Sequence, residues 1–304
     1  EYAAEFARTG LKKFGKHPDL HIRLAAAFAH SNARKSAMVE VANALKINPN
    51  HIPSLLAGAA FSTYTENFAQ TEGPFAAIFA IDPNHPEARS LEAVKHYHRG
   101  KPKLANASRE KALKVWPESP HVDYWIGSML CRMLLFDEGI PHLQAALEID
   151  PSLIEAKAEL GLAHLRRGDE PVGWNLLEQV QNEDSYNVIA FNYAELRKHV
   201  EELTVIETPH FQVRMPELEA KLYGDRVMEL LERARVEMTA RYDYTPARAT
   251  IIDFFNQSKD FSTRLMGIPG GLGILGACFG DVITMNSAGS CLLYTSPSPR
   301  DSDQ

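Results

Sequence analysis

Apolar, small and polar positions repeat along the first two-thirds of the chain at a fixed interval. The stretch Ala145-Ala146-Leu147-Glu148-Ile149-Asp150-Pro151 has earlier copies at 43–49 and 111–117, and a weaker one at 77–83. The prolines that close these copies, Pro49, Pro83, Pro117 and Pro151, stand 34 residues apart. A period of that length predicts a helix–turn–helix array. It places five units at about 18–51, 52–85, 86–119, 120–153 and 154–187, each with two antiparallel helices. Proline lacks an N–H and disfavours a helical residue before it, so each second helix must stop there. Small residues recur where two helices have to approach closely: Ala25, Ala59, Ala93, Gly127 and Gly161 in one row, and Ala37, Thr71, Ala105, Gly139 and Gly173 in another. A third row is Ala44, Ile78, Ala112, Ala146 and Val180.

Beyond Tyr193 the register is expected to end. A charged helix at about 193–202 leads into alternation over 208–215, the pattern of a half-buried strand. A long amphipathic helix is expected at 216–242, with Leu218, Leu222, Val227, Leu230, Leu231, Ala234 and Met238 available for one face. A strongly apolar strand follows at 249–255, a short helix at 258–266, a glycine-rich loop, and a hairpin or long strand at 275–285. The order strand, helix, strand, helix, strand describes an α+β domain. The predicted fold is therefore mainly α, a helical solenoid followed by a partial α+β domain.

Period, small rows and terminal proline together resemble the tetratricopeptide repeat, over about residues 18–187, with the array closing near 200. Ser185 in place of the fifth proline, and Ile78 in the third small row, depart from that pattern. Residues 1–17 resemble the remnant of an earlier repeat. One unit cannot bury its apolar face alone, so stacked neighbours share a core and leave a concave groove. The resemblance implies a protein or peptide partner in that groove. By register the groove carries Ile22, Leu56, Ser90, Tyr124 and Ala158, then Ala26, Ala60, Val94, Ser128 and Leu162. Members that hold a chaperone's C-terminal carboxylate place Lys and Asn along these rows, and this chain has neither there. A rim row of His30, Tyr64, His98, Arg132 and Arg166 reads either as a ledge for an acidic peptide or as a solvated helix face.

A second resemblance covers about 206–287. The stretch 261–270, and then Gly276-Ala277-Cys278-Phe279-Gly280 with Met285 and Ser287, is similar to the N-terminal part of the peptidase MA-like zinc metallopeptidase domain, which often follows tetratricopeptide repeats in bacteria. The partial domain would span 206–290. That family carries His-Glu-x-x-His on a following helix, two zinc ligands one turn apart with a general base between them. No His-Glu-x-x-His occurs in this sequence, so no catalytic residue can be assigned. The resemblance implies zinc in an intact parent protein and none in a fragment that ends before that helix. It also implies that Gly276, Ala277, Cys278 and Phe279 form an edge strand able to pair with an extended substrate. A plain hairpin, its glycines serving the turn, is the alternative.

The chain opens on Glu1 and reads as a fragment. Its last residues, 291–304, resemble a translated sequencing-library adapter, through Cys291-Leu292-Leu293-Tyr294-Thr295-Ser296-Pro297-Ser298-Pro299-Arg300-Asp301. A Ser/Pro-rich tail is the alternative. The 304 residues carry 32 Lys and Arg against 39 Asp and Glu, a net charge of −7 with no basic stripe, so nucleic acid is not an expected partner. No apolar run approaches the ~18 residues of a membrane span. The three cysteines are scattered, without a Cys-x-x-Cys pair. Two classes of function remain: a repeat-fused zinc metallopeptidase and a non-catalytic interaction scaffold.

Overall fold

Helix α1 (Tyr2–Phe14) precedes four helical pairs. These are α2 (Pro18–His30) with α3 (Arg34–Ile47), α4 (Ile52–Tyr64) with α5 (Glu72–Ile81), α6 (Pro86–His98) with α7 (Pro102–Leu113), and α8 (Pro120–Arg132) with α9 (Phe136–Ile149). A single 3₁₀ turn, Phe68–Thr71, leads into α5. In the computed structural model the described residues are 2–31, 33–270 and 273–287, with nothing described of the His30 side chain. The chain divides into two compact units, Glu1–Ser152 and the part from Leu153 onward.

The first helices of the pairs begin at 18, 52, 86 and 120, so the 34-residue step is borne out. All three small rows are packed: Ala59, Ala93, Ala105, Ala44, Ile78, Ala112 and Ala146 are 0% exposed. At the fourth unit even alanine is too large. A Cβ on Gly127 would lie 2.8 Å from the Gly139 carbonyl oxygen, and one on Gly139 2.6 Å from Cys131 Sγ. The turn between the helices of a pair needs a left-handed residue. Gly100 supplies it at φ 64°, but Glu66 (φ 58°) and Leu134 (φ 64°) occupy the same register position. The connection to the next pair is fixed differently. Asn48, Asp82 and Asp150 are extended, and each side chain accepts the backbone N–H two residues on, at 3.0, 3.0 and 2.9 Å.

The second unit opens with α10 (Ile154–Arg167), α11 (Glu170–Glu183) and α12 (Val188–Glu201). Helices α10 and α12 begin at 154 and 188, which keeps the step for one helix more than the sequence led us to expect. Ser185 does not break the register because Asp184 makes the turn instead. It is extended at φ −134°, and its carboxylate accepts the Tyr186 N–H at 3.0 Å.

The chain then runs through β1 (Thr204–Glu207), β2 (Phe211–Met215), α13 (Glu217–Tyr242), β3 (Thr250–Phe255), α14 (Ser258–Met266), β4 (Gly276–Phe279) and β5 (Val282–Asn286). The strands form one sheet in the order β1-β2-β3-β5-β4. The pairs β2–β3 and β3–β5 are parallel, while β1–β2 and β4–β5 are antiparallel. Strand β1 was not foreseen; with four residues it is too short to show a period. The alternation of β3 sends Ile252 towards α13 and Phe255 towards α12 and α14, so helices cover both faces. The single apolar face expected for α13 is corrected. Val227 and Leu231 pack on the sheet, but Leu218 and Leu222 are exposed. Leu218 and Val227 are nine residues apart, which at about 100° per residue is half a turn, so one face cannot hold both.

Candidate functional site

Within the first unit, the row chosen for the groove rim sits at the C-terminal ends of first helices. Tyr64 is exposed, and the Arg34 guanidinium lies 4.9 Å from its ring centroid. His98 Nε2 is 3.4 Å from Glu66 Oε2, and its ring is 4.9 Å from the Phe68 ring. Arg132 is exposed and Tyr124 half-buried. His30 closes α2, and its side chain lies outside the described residues. Leu56, Ser90, Val94 and Ser128, placed in the groove by register, are buried instead. Consecutive first helices approach closely enough for Ser90 Oγ to donate to the Val122 carbonyl at 3.4 Å, so these positions hold neighbouring pairs together.

The first unit also holds a polar chain that the sequence did not single out. Asp123, 0% exposed, accepts two hydrogen bonds from Arg109, 2.7 and 2.5 Å long. His142 Nδ1 is 2.6 Å from Asp123 Oδ1, and its Nε2 is 3.0 Å from the Tyr97 hydroxyl. Burial opposes the charge on Asp123, but the bonds to His142 and Arg109 outweigh it and hold the carboxyl below the usual carboxylate range. Burial pushes the Tyr97 hydroxyl up.

Within the second unit, Arg166 faces the α+β part. Its Nη2 donates to the Leu265 carbonyl at 3.3 Å, and its guanidinium lies 5.5 Å from the Phe279 ring centroid. Gly276, Ala277, Cys278 and Phe279 form β4, the outermost strand on one side of the sheet among the described residues. Phe279 and Ala277 pack against the helical side, while Gly276 and Cys278 are exposed. A Cβ on Gly276 would meet Met285 Cγ at 3.2 Å.

The densest chemistry in this unit is a closed group of four charges. Arg214 Nε donates to Asp253 Oδ1 at 2.6 Å, and its Nη1 donates to Glu170 Oε2 at 2.6 Å. Arg264 Nε donates to Asp253 Oδ2 at 3.0 Å, and its Nη2 to Glu170 Oε1. The residues are 0–9% exposed, so two cations and two anions neutralise one another out of water. Desolvation works against Glu170, yet the charges of Arg264 and Arg214 prevail and keep its carboxyl low. Desolvation likewise opposes Arg214, and Asp253 and Glu170 reverse it, raising its pKa. A lone Asp inside the apolar run Ile251-Ile252-Asp253-Phe254-Phe255 was the available signal for this group. Alongside it a cleft of about 500 Å³ opens between α11, α12 and the β1–β2 end of the sheet, walled by Trp174, Val200 and Leu203 over Val205 and Gln212.

The zinc implied by the metallopeptidase resemblance does not fit the residues present. Among the described residues no three His, Cys, Asp or Glu side chains are grouped to hold a metal ion. His210, the one histidine in the α+β part, is bonded to Glu232 at 2.8 Å. No helix of the described residues is long and apolar enough to cross a membrane.

No protein-family model and no curated protein matches the chain. Solved structures do. YrrB, described as a TPR protein with an unusual peptide-binding site, is 14% identical over 64% of this chain and 100% of its own, with a TM-score of 0.36. PilW, a type IV pilus biogenesis factor, is 15% identical over 75% of this chain and 94% of its own, with a TM-score of 0.38. Yeast Tom70 is 16% identical over 64% of this chain, with a TM-score of 0.38, and the chain spans 51% of its length. By the register and packing of its own helices, the repeat part is a tetratricopeptide-type array followed by an α+β part.

Proposed function

We propose that the chain is a tetratricopeptide scaffold that binds a protein or peptide segment along the first-helix ends of its first unit. The observation that carries this reading is the 34-residue row of Tyr64, His98 and Arg132 at the ends of first helices that carry the buried Leu56, Ser90, Val94 and Ser128. Close packing fixes those helices, so the polar ends stand at set intervals, as recognition of an extended segment requires. Arg34 and Arg99 lie beside the row, over the Tyr64 and Phe68 rings, so the surface favours acidic segments. The test is a screen of immobilised peptides of graded charge against the full chain, followed by affinity measurements. Acidic segments are expected to bind, with Arg132→Glu weakening them about tenfold, as loss of a charge-assisted contact does. Binding that ignores peptide charge and the Arg132→Glu and Tyr64→Ala substitutions would remove the proposal.

A second reading is favoured by one observation, the edge position of β4. In it the chain is part of a repeat-fused zinc metallopeptidase, and Gly276, Ala277, Cys278 and Phe279 receive an extended substrate by strand addition. This reading needs a metal-holding helix that these residues do not supply. The test is zinc content and peptidase activity of the whole protein: a zinc-dependent peptidase whose metal is held by a His-Glu-x-x-His outside these residues supports it, and a whole protein with neither motif nor activity ends it.

A further inference from the structure

Strand β1 is the outermost strand on the side of the sheet away from β4, among the described residues. Its pairing with β2 decides which backbone groups the ladder uses. The Thr208 N–H donates to the Phe211 carbonyl at 2.9 Å, so 208 and 211 form a hydrogen-bonded pair. Such pairs alternate with non-bonded ones along an antiparallel ladder. Ile206 is therefore bonded to Val213 and Thr204 to Met215. Val205, opposite Arg214, and Glu207, opposite Gln212, turn their N–H and C=O groups away from β2. Among the described residues no backbone partner meets these four groups.

The side chains of 205 and 207 share a face, because they alternate with Ile206, which packs on the α13 side. Their face is the one on which the cleft of about 500 Å³ opens. The cleft runs from Ile251 on β3, past Gln212 and Arg214 on β2, to Val205 on the edge strand. Val205 is 49% exposed there. Glu207 is exposed too, and its Oε1 accepts from Gln212 Nε2 at 2.7 Å. An open strand edge and an apolar cleft thus meet at one place. An extended peptide satisfies both: its main chain pairs with the edge while alternate side chains enter the cleft. A small apolar molecule would fill the cleft and leave the edge to water. A second copy paired about Ile206, the alignment that uses all of β1, would set Glu207 opposite Val205 and bring a carboxylate to the apolar mouth.

We infer that the β1 edge is a strand-addition site for an extended peptide in which Lys or Arg stands two positions before a large apolar residue. In antiparallel pairing the basic residue lies opposite Glu207, and the apolar one lies opposite Val205, over the cleft. Directly opposed unlike charges stabilise a strand pair. This site lies in the second unit, and its charge preference is opposite to that proposed for the first.

The test is fluorescence anisotropy of a labelled, end-capped heptapeptide, Lys at its third position, Leu at its fifth and Thr elsewhere, titrated with the full chain. Saturable binding is expected. N-methylation at the third or fifth position, whose N–H faces β1, should weaken it about tenfold, as loss of a hydrogen bond does. N-methylation at the fourth position, whose N–H faces solvent, should leave it unchanged. Val205→Pro removes an outward N–H where an edge strand tolerates proline, and should also weaken binding about tenfold. Glu207→Lys should reverse the preference between this peptide and one with Glu in place of Lys. Far-UV circular dichroism checks the fold of each variant, and the N-methyl series decides the question with the protein unaltered. Absence of saturable binding up to about 1 mM overturns the inference. So does binding indifferent to the position of N-methylation or to Glu207→Lys. Self-association of the chain that Val205→Pro blocks, with no peptide bound, also overturns it.

Discussion

At the scale of single residues, the four-charge group of Glu170, Arg214, Asp253 and Arg264 is the most sensitive point of the second unit. A buried ion pair adds little net stability, but removing one member strands the others without solvent. Asp253 and Glu170 each touch both guanidiniums, and Asp253 is the more deeply buried, 0% against 9% exposed, so its loss should cost most. Asp253→Asn is expected to destabilise the unit by about 3–5 kcal/mol, measured as a shift in the urea midpoint. Fluorescence of Trp174, the only tryptophan after residue 152, reports on it directly, since Arg264 lies 5.8 Å from its ring centroid. Acid offers a second probe. Glu170 and Asp123 both have carboxyl pKa values below their ordinary ones in the folded chain. A depressed folded value contributes stability at pH above the unfolded carboxylate range of ~3.9–4.3 and loses it as pH falls through the folded value. The thermal midpoint should thus fall as pH drops below about 4, and Glu170→Gln should show a shallower fall than the parent chain.

At the scale of elements, the turns inside each helical pair make the clearest forecast. Leu134 holds φ 64°, where a Cβ is unfavourable, at the register position that Gly100 fills in the preceding pair. Leu134→Gly should therefore raise the unfolding midpoint of the first unit, by up to about 1 kcal/mol, because the strain exceeds glycine's extra chain entropy. Unchanged or lower stability would mean that the leucine gains more from contacts than its backbone loses. Elements are also where the sequence was most and least readable. The helical pairs were legible because proline, small residues and period are local signals that agree. Helix α12 was under-read because its turn relies on Asp184 rather than proline, and β1 because four residues carry no pattern. The two faces of α13 were merged because leucines nine apart were counted without their angle. The candidate site was less legible still. Tyr64, His98 and Arg132 were found by register, but the buried partners of Asp123 and Asp253 come from distant segments, and no spacing rule joins Arg109 to His142 or Arg214 to Glu170.

At the scale of the whole molecule, the compact units do not follow the boundary between repeat and sheet. Helices α10, α11 and α12 belong to the array by register, but they share a core with the sheet through Leu165, Trp174, Leu177, Tyr193, Leu196, Phe255 and Phe261. Hydrogen bonds add to it: the Tyr193 hydroxyl donates to the Arg264 carbonyl at 2.9 Å, and Asn192 Nδ2 to the Gly267 carbonyl at 2.9 Å. Native-state hydrogen exchange should accordingly give α10–α12 the same opening free energy as β2, β3 and β5, since cooperative units follow contacts rather than sequence class. Protection of α10–α12 that tracks α2–α9 and leaves the strands behind would show that the array opens as one body.

The position of Glu170 limits how this array can be rearranged. Repeat proteins are ordinarily built from near-equivalent cassettes that can be exchanged, lengthened or replaced by a consensus unit. Here the fifth cassette carries a carboxylate that completes a neutral group shared with strands and a later helix. Transplanted elsewhere in the stack, it would bring an acid without its guanidiniums, and a consensus unit put in its place would leave two arginines one anion short. The repeat at the seam is thus specific to its address, and engineering of this chain can add or remove pairs ahead of it but not through it.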